Sequence, residues 1–126
     1  MPRLLSRLIL LFALVLAAPA AQSAQTWDKA AFEAAQAAGS PILVHVTAPW
    51  CPTCKAQKPT VDRLESSNPA LKVFAVDFDS QKDALAFLGV KSQSTLISYH
   101  GKAEIARSTG VTDPAVITEM VVRASH

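Results

Sequence analysis

Cys51 and Cys54 are separated by two residues in the stretch Trp50-Cys51-Pro52-Thr53-Cys54-Lys55, and the chain holds no other cysteine. A thiolate is a nucleophile, a soft metal ligand and half of a disulfide. The spacing therefore offers two chemistries, reversible thiol–disulfide exchange or one half of a tetrahedral metal site. A closed structural metal site needs two further ligands, and apart from carboxylates only His45, His100 and His126 could supply them. As a staple the pair contributes little, because stabilisation by a cross-link grows with the loop it closes and this loop is very short. Such a bridge suits opening and closing.

The placement of the pair sharpens the redox reading. Ile42 to Thr47 is short, apolar and mostly β-branched, which predicts a buried strand bounded by Pro41 and Pro49. From Cys51 to about Ser66 the spacing of Cys54, Val61 and Leu64 predicts a helix, kinked at Pro59. The first turn of a helix carries unsatisfied N–H groups and a partial positive charge, and both stabilise a thiolate. Free cysteine has a pKa of about 8.5, which helix N-termini with this spacing lower to roughly 3.5–7.5. Cys51 is thus the expected attacking sulfur, exposed at the helix start. Cys54, one turn deeper on nearly the same face, is the expected resolving thiol. Pro52 suits an early helical position that needs no N–H partner, and Trp50 offers a flat apolar surface beside the sulfur. The dipeptide Pro52-Thr53 tunes the reduction potential of the pair.

The remaining elements follow from period and punctuation. Asp28 to Ala38 predicts a helix with Phe32 and Ala35 on one face, ended by Gly39-Ser40-Pro41. Leu71 to Phe78 predicts a second strand, and Asp79 and Ser80 are suited to cap a short helix from Gln81 to Leu88. Ser94 to Tyr99 and Ala103 to Ser108 flank His100-Gly101-Lys102 as a hairpin. Thr112 or Asp113 caps a last helix with Val116, Ile117, Met120 and Val121 inward. Strands joined through helices run parallel and the hairpin adds antiparallel strands, so the expected architecture is an α/β fold with a mixed sheet of about four strands between helices.

The 126 residues allow one domain. Arg3 and Arg7 precede the apolar run Leu8 to Ala18, and small residues follow it, which is the pattern of a secretory signal peptide over residues 1–24 ahead of a domain at 25–126. Eleven apolar residues fall short of the roughly 20 that span a bilayer as a helix. Without Arg3 and Arg7 the 10 remaining Lys and Arg balance 10 Asp and Glu, so a nucleic-acid partner is not expected. An exported, periplasmic monomer is.

At these residues the sequence resembles the thioredoxin family. The likeness runs from Ile42-Leu43-Val44 through Trp50-Cys51-Pro52-Thr53-Cys54-Lys55 and Pro59, then Val73 to Asp79, Gly89-Val90, Thr95-Leu96-Ile97 and Gly110. It implies the thioredoxin fold and dithiol–disulfide exchange with protein thiols and disulfides. No cofactor is implied beyond the redox-active disulfide of Cys51 and Cys54. The Pro52-Thr53 dipeptide is similar to that of exported reductases serving cytochrome c maturation, without the insertion those proteins usually carry.

Three positions depart from the family. His45 stands where it has a buried aspartate, and two roles are open: a buried histidine bonded to backbone, or a proton acceptor for Cys54. Ala75 stands in place of a lysine. Ser94 occupies the position of a cis-proline, where a cis bond would cost about 2.5–4 kcal/mol before serine against about 0.5–1 before proline. A trans bond or a reshaped loop is expected, with the Ser94 N–H and hydroxyl free to bind a substrate backbone or weakly ligate a metal.

The functional expectation is an oxidoreductase in which Cys51 exchanges with protein disulfides, Cys54 resolves, and a membrane-bound thiol–disulfide electron donor or acceptor resets the pair. It leans to reductase, because no histidine lies between the cysteines to stabilise the reduced form. The rival is a periplasmic Cu(I) carrier holding the metal on the two thiolates.

Overall fold

In the computed structural model, residues 24–126 are described. Apart from Ala24, the proposed leader over residues 1–24 lies outside the described part. The chain runs β1 (Gln25–Thr26), α1 (Lys29–Ala37), β2 (Pro41–Thr47), α2 (Pro52–Ser67), β3 (Lys72–Asp77), α3 (Lys82–Leu88), β4 (Thr95–His100), β5 (Ala103–Thr109) and α4 (Pro114–Ala124). The strands form one sheet in the order β1-β3-β2-β4-β5. β2 pairs in parallel with β3 and antiparallel with β4, which places the strand leading to Cys51 at the centre.

The sheet has five strands rather than about four. The addition is β1, two exposed residues laid parallel to Phe74 and Ala75. Two polar residues carry no alternation that could announce a strand, so only the pairing defines it.

Alternation along β2 sorts the core into two layers, since successive side chains leave opposite faces. Ile42, Val44 and Val46 join Phe32, Phe74, Leu85, Ile97 and Tyr99 on one face. The Phe32 ring lies 5.2 Å from Tyr99 and 5.8 Å from Phe74, both edge-on. Burying a phenylalanine of this kind is worth roughly 1.5–3 kcal/mol. Leu43 packs on the other face with Val61 and Leu64 of α2 and with Ile117, Met120 and Val121 of α4. His45 follows Leu43 by two and so faces α2 as well.

Two details differ from expectation. Val116 is 46% exposed, whereas Ile117, Met120, Val121 and Ala124 are buried. These four lie at the i, i+3, i+4, i+7 spacing of one helix face, and Val116 precedes that stripe by about 100°. Asp79 and Ser80 do not cap α3, whose N-cap is Gln81 without a side-chain cap bond. The turn is closed instead by Asp77, whose carboxylate accepts from the backbone N–H of Asp79 and from the N–H and hydroxyl of Ser80. Those bonds hold the Asp77 carboxyl below its ordinary pKa, the Ser80 hydroxyl contributing most.

Candidate active site

Helix α2 begins at Pro52 and continues through Pro59 to Ser67. Cys51 is its N-cap in extended conformation, and the Cys54 N–H donates to Cys51 Sγ across 3.1 Å. An orphan donor of the first turn is therefore aimed at the first sulfur, the arrangement that favours negative charge there. Cys51 and Cys54 are joined by a disulfide, with Cα atoms 5.3 Å apart.

The pair is covered rather than exposed. Cys51 is 1% and Cys54 2% accessible, packed with Ala48 and with the partly buried Phe78. The expected exposed sulfur is corrected on this point: bonded to Cys54 and accepting from the helix terminus, Cys51 Sγ turns inward. Trp50 is the exposed neighbour, 55% accessible, and its indole N–H donates to Asp79 Oδ2 at 2.8 Å. Asp79, expected at a helix cap, thus orients the residue before the cysteines. Thr53 lies in the first turn of α2, half-buried.

Cys54 Sγ lies 3.9 Å from the carbonyl oxygen of Val46, and the same oxygen accepts the Ser94 N–H at 2.8 Å. Ser94 therefore sits beside the pair, but its N–H is used inward and is not free for a substrate backbone. Among the described residues no peptide bond is cis, and Ser94 has a φ of 59°. The loop is thus trans and reshaped. The Ser94 carbonyl accepts from Gly110 N–H at 3.0 Å and from Gln57 Nε2 at 3.0 Å. Its hydroxyl takes no protein partner among the described residues.

His45 is buried and its Nε2 lies 3.0 Å from Gln57 Oε1. Its partner is a side-chain amide, not the backbone expected of a structural histidine. Burial pushes the His45 pKa below 6.5, and the bond to Gln57 opposes that shift. Gln57 is fully buried, and its amide N–H groups also reach the Val111 carbonyl at 2.8 Å. Nothing in the reading of the sequence singled it out. The available signal was its spacing: Cys54, Gln57, Val61 and Leu64 share one helical stripe, so a long amide stands in an apolar row.

Among the described residues no three His, Cys, Asp or Glu side chains converge on a point that could hold a metal ion. The first-turn donor on one sulfur, the adjoining disulfide partner and a trans loop across them form a site for sulfur exchange.

The thioredoxin family model matches residues 23–123. The chain belongs to the thioredoxin family. Its structure superposes on the crystal structure of Trxlp from Edwardsiella tarda with a TM-score of 0.73, at 43% identity over 79% of this chain and 98% of that one. Oxidised thioredoxin O2 of Arabidopsis thaliana gives a TM-score of 0.65 at 25% identity, over 77% and 90% of the two chains. The H-type thioredoxin of Fagopyrum esculentum is 27% identical over 105 residues, 83% of this chain and 90% of its own length. This thioredoxin-family chain is a protein thiol–disulfide oxidoreductase with a mixed five-stranded sheet, acting on protein thiols and disulfides.

Proposed function

We propose that the protein is an exported reductase of protein disulfides in which Cys51 attacks and Cys54 resolves. The observation that carries the division of labour is the Cys54 N–H on Cys51 Sγ at the start of α2. That donor and the helix terminus stabilise a thiolate on Cys51 and not on its partner. Cys51 Sγ attacks a substrate disulfide, one substrate sulfur leaves as a thiolate, and a mixed disulfide forms. Cys54 then loses its proton, attacks Cys51 Sγ and releases the second substrate thiol. Two electrons have passed from the dithiol to the substrate. His45 is the proton acceptor for Cys54 in this reading, supported by its place on the α2 face of β2 and its neutral, buried ring.

Export is supported by Arg3 and Arg7 ahead of the apolar run Leu8 to Ala18. In the periplasm a membrane-bound thiol–disulfide partner would reset the pair. The reductase direction is supported by the absence of a charged residue between the cysteines. Such pairs span roughly −270 to −120 mV, so direction turns on the measured value.

Purified residues 25–126 are expected to catalyse insulin reduction and to equilibrate with glutathione nearer the reducing limit. Tight Cu(I) binding without insulin turnover would replace the exchange reading with metal carriage on the same thiolates. Expression of the full chain, followed by cell fractionation and mass measurement of the mature protein, tests export. A cytoplasmic product retaining Met1 to Ala24 refutes it.

A further inference from the structure

Two observations beside the cysteine pair remain unused by the exchange chemistry itself. The first is Gln57, whose hydrogen-bonding capacity is filled in only one sense. Its N–H groups meet the carbonyl oxygens of Ser94 and Val111, neither of which can donate. The amide oxygen must then face His45 Nε2, so that nitrogen carries a hydrogen and Nδ1 of the neutral ring carries the lone pair.

The second is Ser94. Every other positive φ among the described residues belongs to a glycine, namely Gly39, Gly89, Gly101 and Gly110. A serine in that region is strained, and strain of this kind persists where the surroundings over-determine it. Here they do so at both backbone groups, through Val46 on one side and Gly110 with Gln57 on the other.

We propose that Gln57 is a positioning residue of the exchange reaction, one that clamps the Ser94 loop beside Cys54 and fixes His45 as its Nε2–H tautomer, leaving Nδ1 to receive the Cys54 proton. This rests on the exchange reading above and deepens it. Cys54 and Gln57 stand three apart on one face of α2, so the ring tied to Gln57 lies under the turn that follows the inner sulfur. Cys54 Sγ is 3.9 Å from the carbonyl of Val46, the residue after His45. In the resolving step the Cys54 S–H proton passes to Nδ1 and a bond forms between Cys54 and Cys51 sulfurs. The bond from Cys51 to the substrate breaks, and the departing thiolate takes a proton from water.

The charges acting on the ring are Asp62 and Lys58 of α2, themselves paired at 2.6 Å. Its neighbours on the flanking strands, Ala75 of β3 and Leu96 of β4, bring none. Gln57 is therefore the uncharged handle on the imidazole.

Histidine-labelled reduced protein, observed by ¹⁵N NMR across pH, reads the tautomer without any turnover. The wild type is expected as the Nε2–H form at pH 7. Gln57→Leu should give a tautomer mixture, a lower His45 midpoint and amide exchange at Ser94 and Gly110 faster by more than tenfold. Gln57→Glu, which sets a carboxylate against Nε2, should raise the midpoint. Resolution is timed separately by release of thionitrobenzoate from its mixed disulfide on Cys51, and its pH midpoint should move with the ring in both variants. An Nδ1–H tautomer in the wild type overturns the proposal. So does a Gln57→Glu resolution profile that stays in place while the ring titration moves. A wild type that releases no thionitrobenzoate would refute the exchange reading instead, with the tautomer still judging the clamp.

Discussion

The indole N–H of Trp50 donates to the carboxylate of Asp79 across 2.8 Å, joining the loop before the cysteines to the turn that follows β3. Trp50 is otherwise more than half exposed, so this single bond sets the orientation of the largest apolar surface next to the disulfide. Asp79→Ala is expected to raise the KM for insulin severalfold and to change kcat less. The stability cost should stay near 1 kcal/mol, the ordinary worth of one hydrogen bond. An unaltered KM would show that the ring needs no such guide.

The two sulfurs should fail in different ways. Cys51→Ser is expected to abolish mixed-disulfide formation. Cys54→Ser should form the adduct and then stall, lowering multiple-turnover reduction at least about a hundredfold, ~2.7 kcal/mol of barrier. Non-reducing electrophoresis of the Cys54→Ser protein with a disulfide substrate checks this: trapped adducts are expected, and their presence in Cys51→Ser as well would reverse the assignment.

Substitutions at Ser94 should follow its φ of 59°. Glycine occupies that region without penalty, so Ser94→Gly should stabilise the fold by about 1 kcal/mol. Proline restricts φ to about −65° and has no N–H for the Val46 carbonyl, so Ser94→Pro should destabilise it by more than about 1 kcal/mol. Denaturant titration of the two variants distinguishes these signs. Equal midpoints would mean that the loop adapts freely.

Stability should fall at both ends of the pH scale for identifiable reasons. His45 is held below its unfolded value of 6.5 by burial, so the unfolded chain binds its proton first. Its contribution is full above about pH 6.5 and is lost as pH falls toward and through the folded value. His45→Leu should flatten that acid limb. Burial, helped by Glu104, pushes the Tyr99 hydroxyl up to about 12 from 10.0. Its contribution is full below pH 10 and declines as pH rises to about 12, a loss that Tyr99→Phe should remove. Chemical denaturation across pH with both variants measures the two limbs.

Much of this molecule was legible before any coordinate. The β-branched run ending at Thr47, the proline after Cys51 and the apolar stripe of α2 place a cysteine at a helix start by local rules alone, since strand period, N-terminal proline and helical spacing act within a few residues. The hairpin about Gly101 and the cap at Asp113 are of the same kind. Failures occurred where a residue had two local uses. Asp79 is a good cap by type, but Asp77 closes the turn and leaves Asp79 for an indole 29 positions away.

What only the tertiary structure decided is which polar groups meet. His45 and Gln57 are 12 positions apart, and Gln57 reaches Ser94 and Val111 across 37 and 54 more. No periodicity encodes such meetings; packing α2 onto β2 and folding the β5 end back beside them creates them. Once enclosed, each donor and acceptor must find a partner or forfeit its hydration. By itself the sequence determined that a dithiol would sit at a helix terminus. Burial then determined that a glutamine, unremarked by type, would bind the histidine and the strained serine into one network.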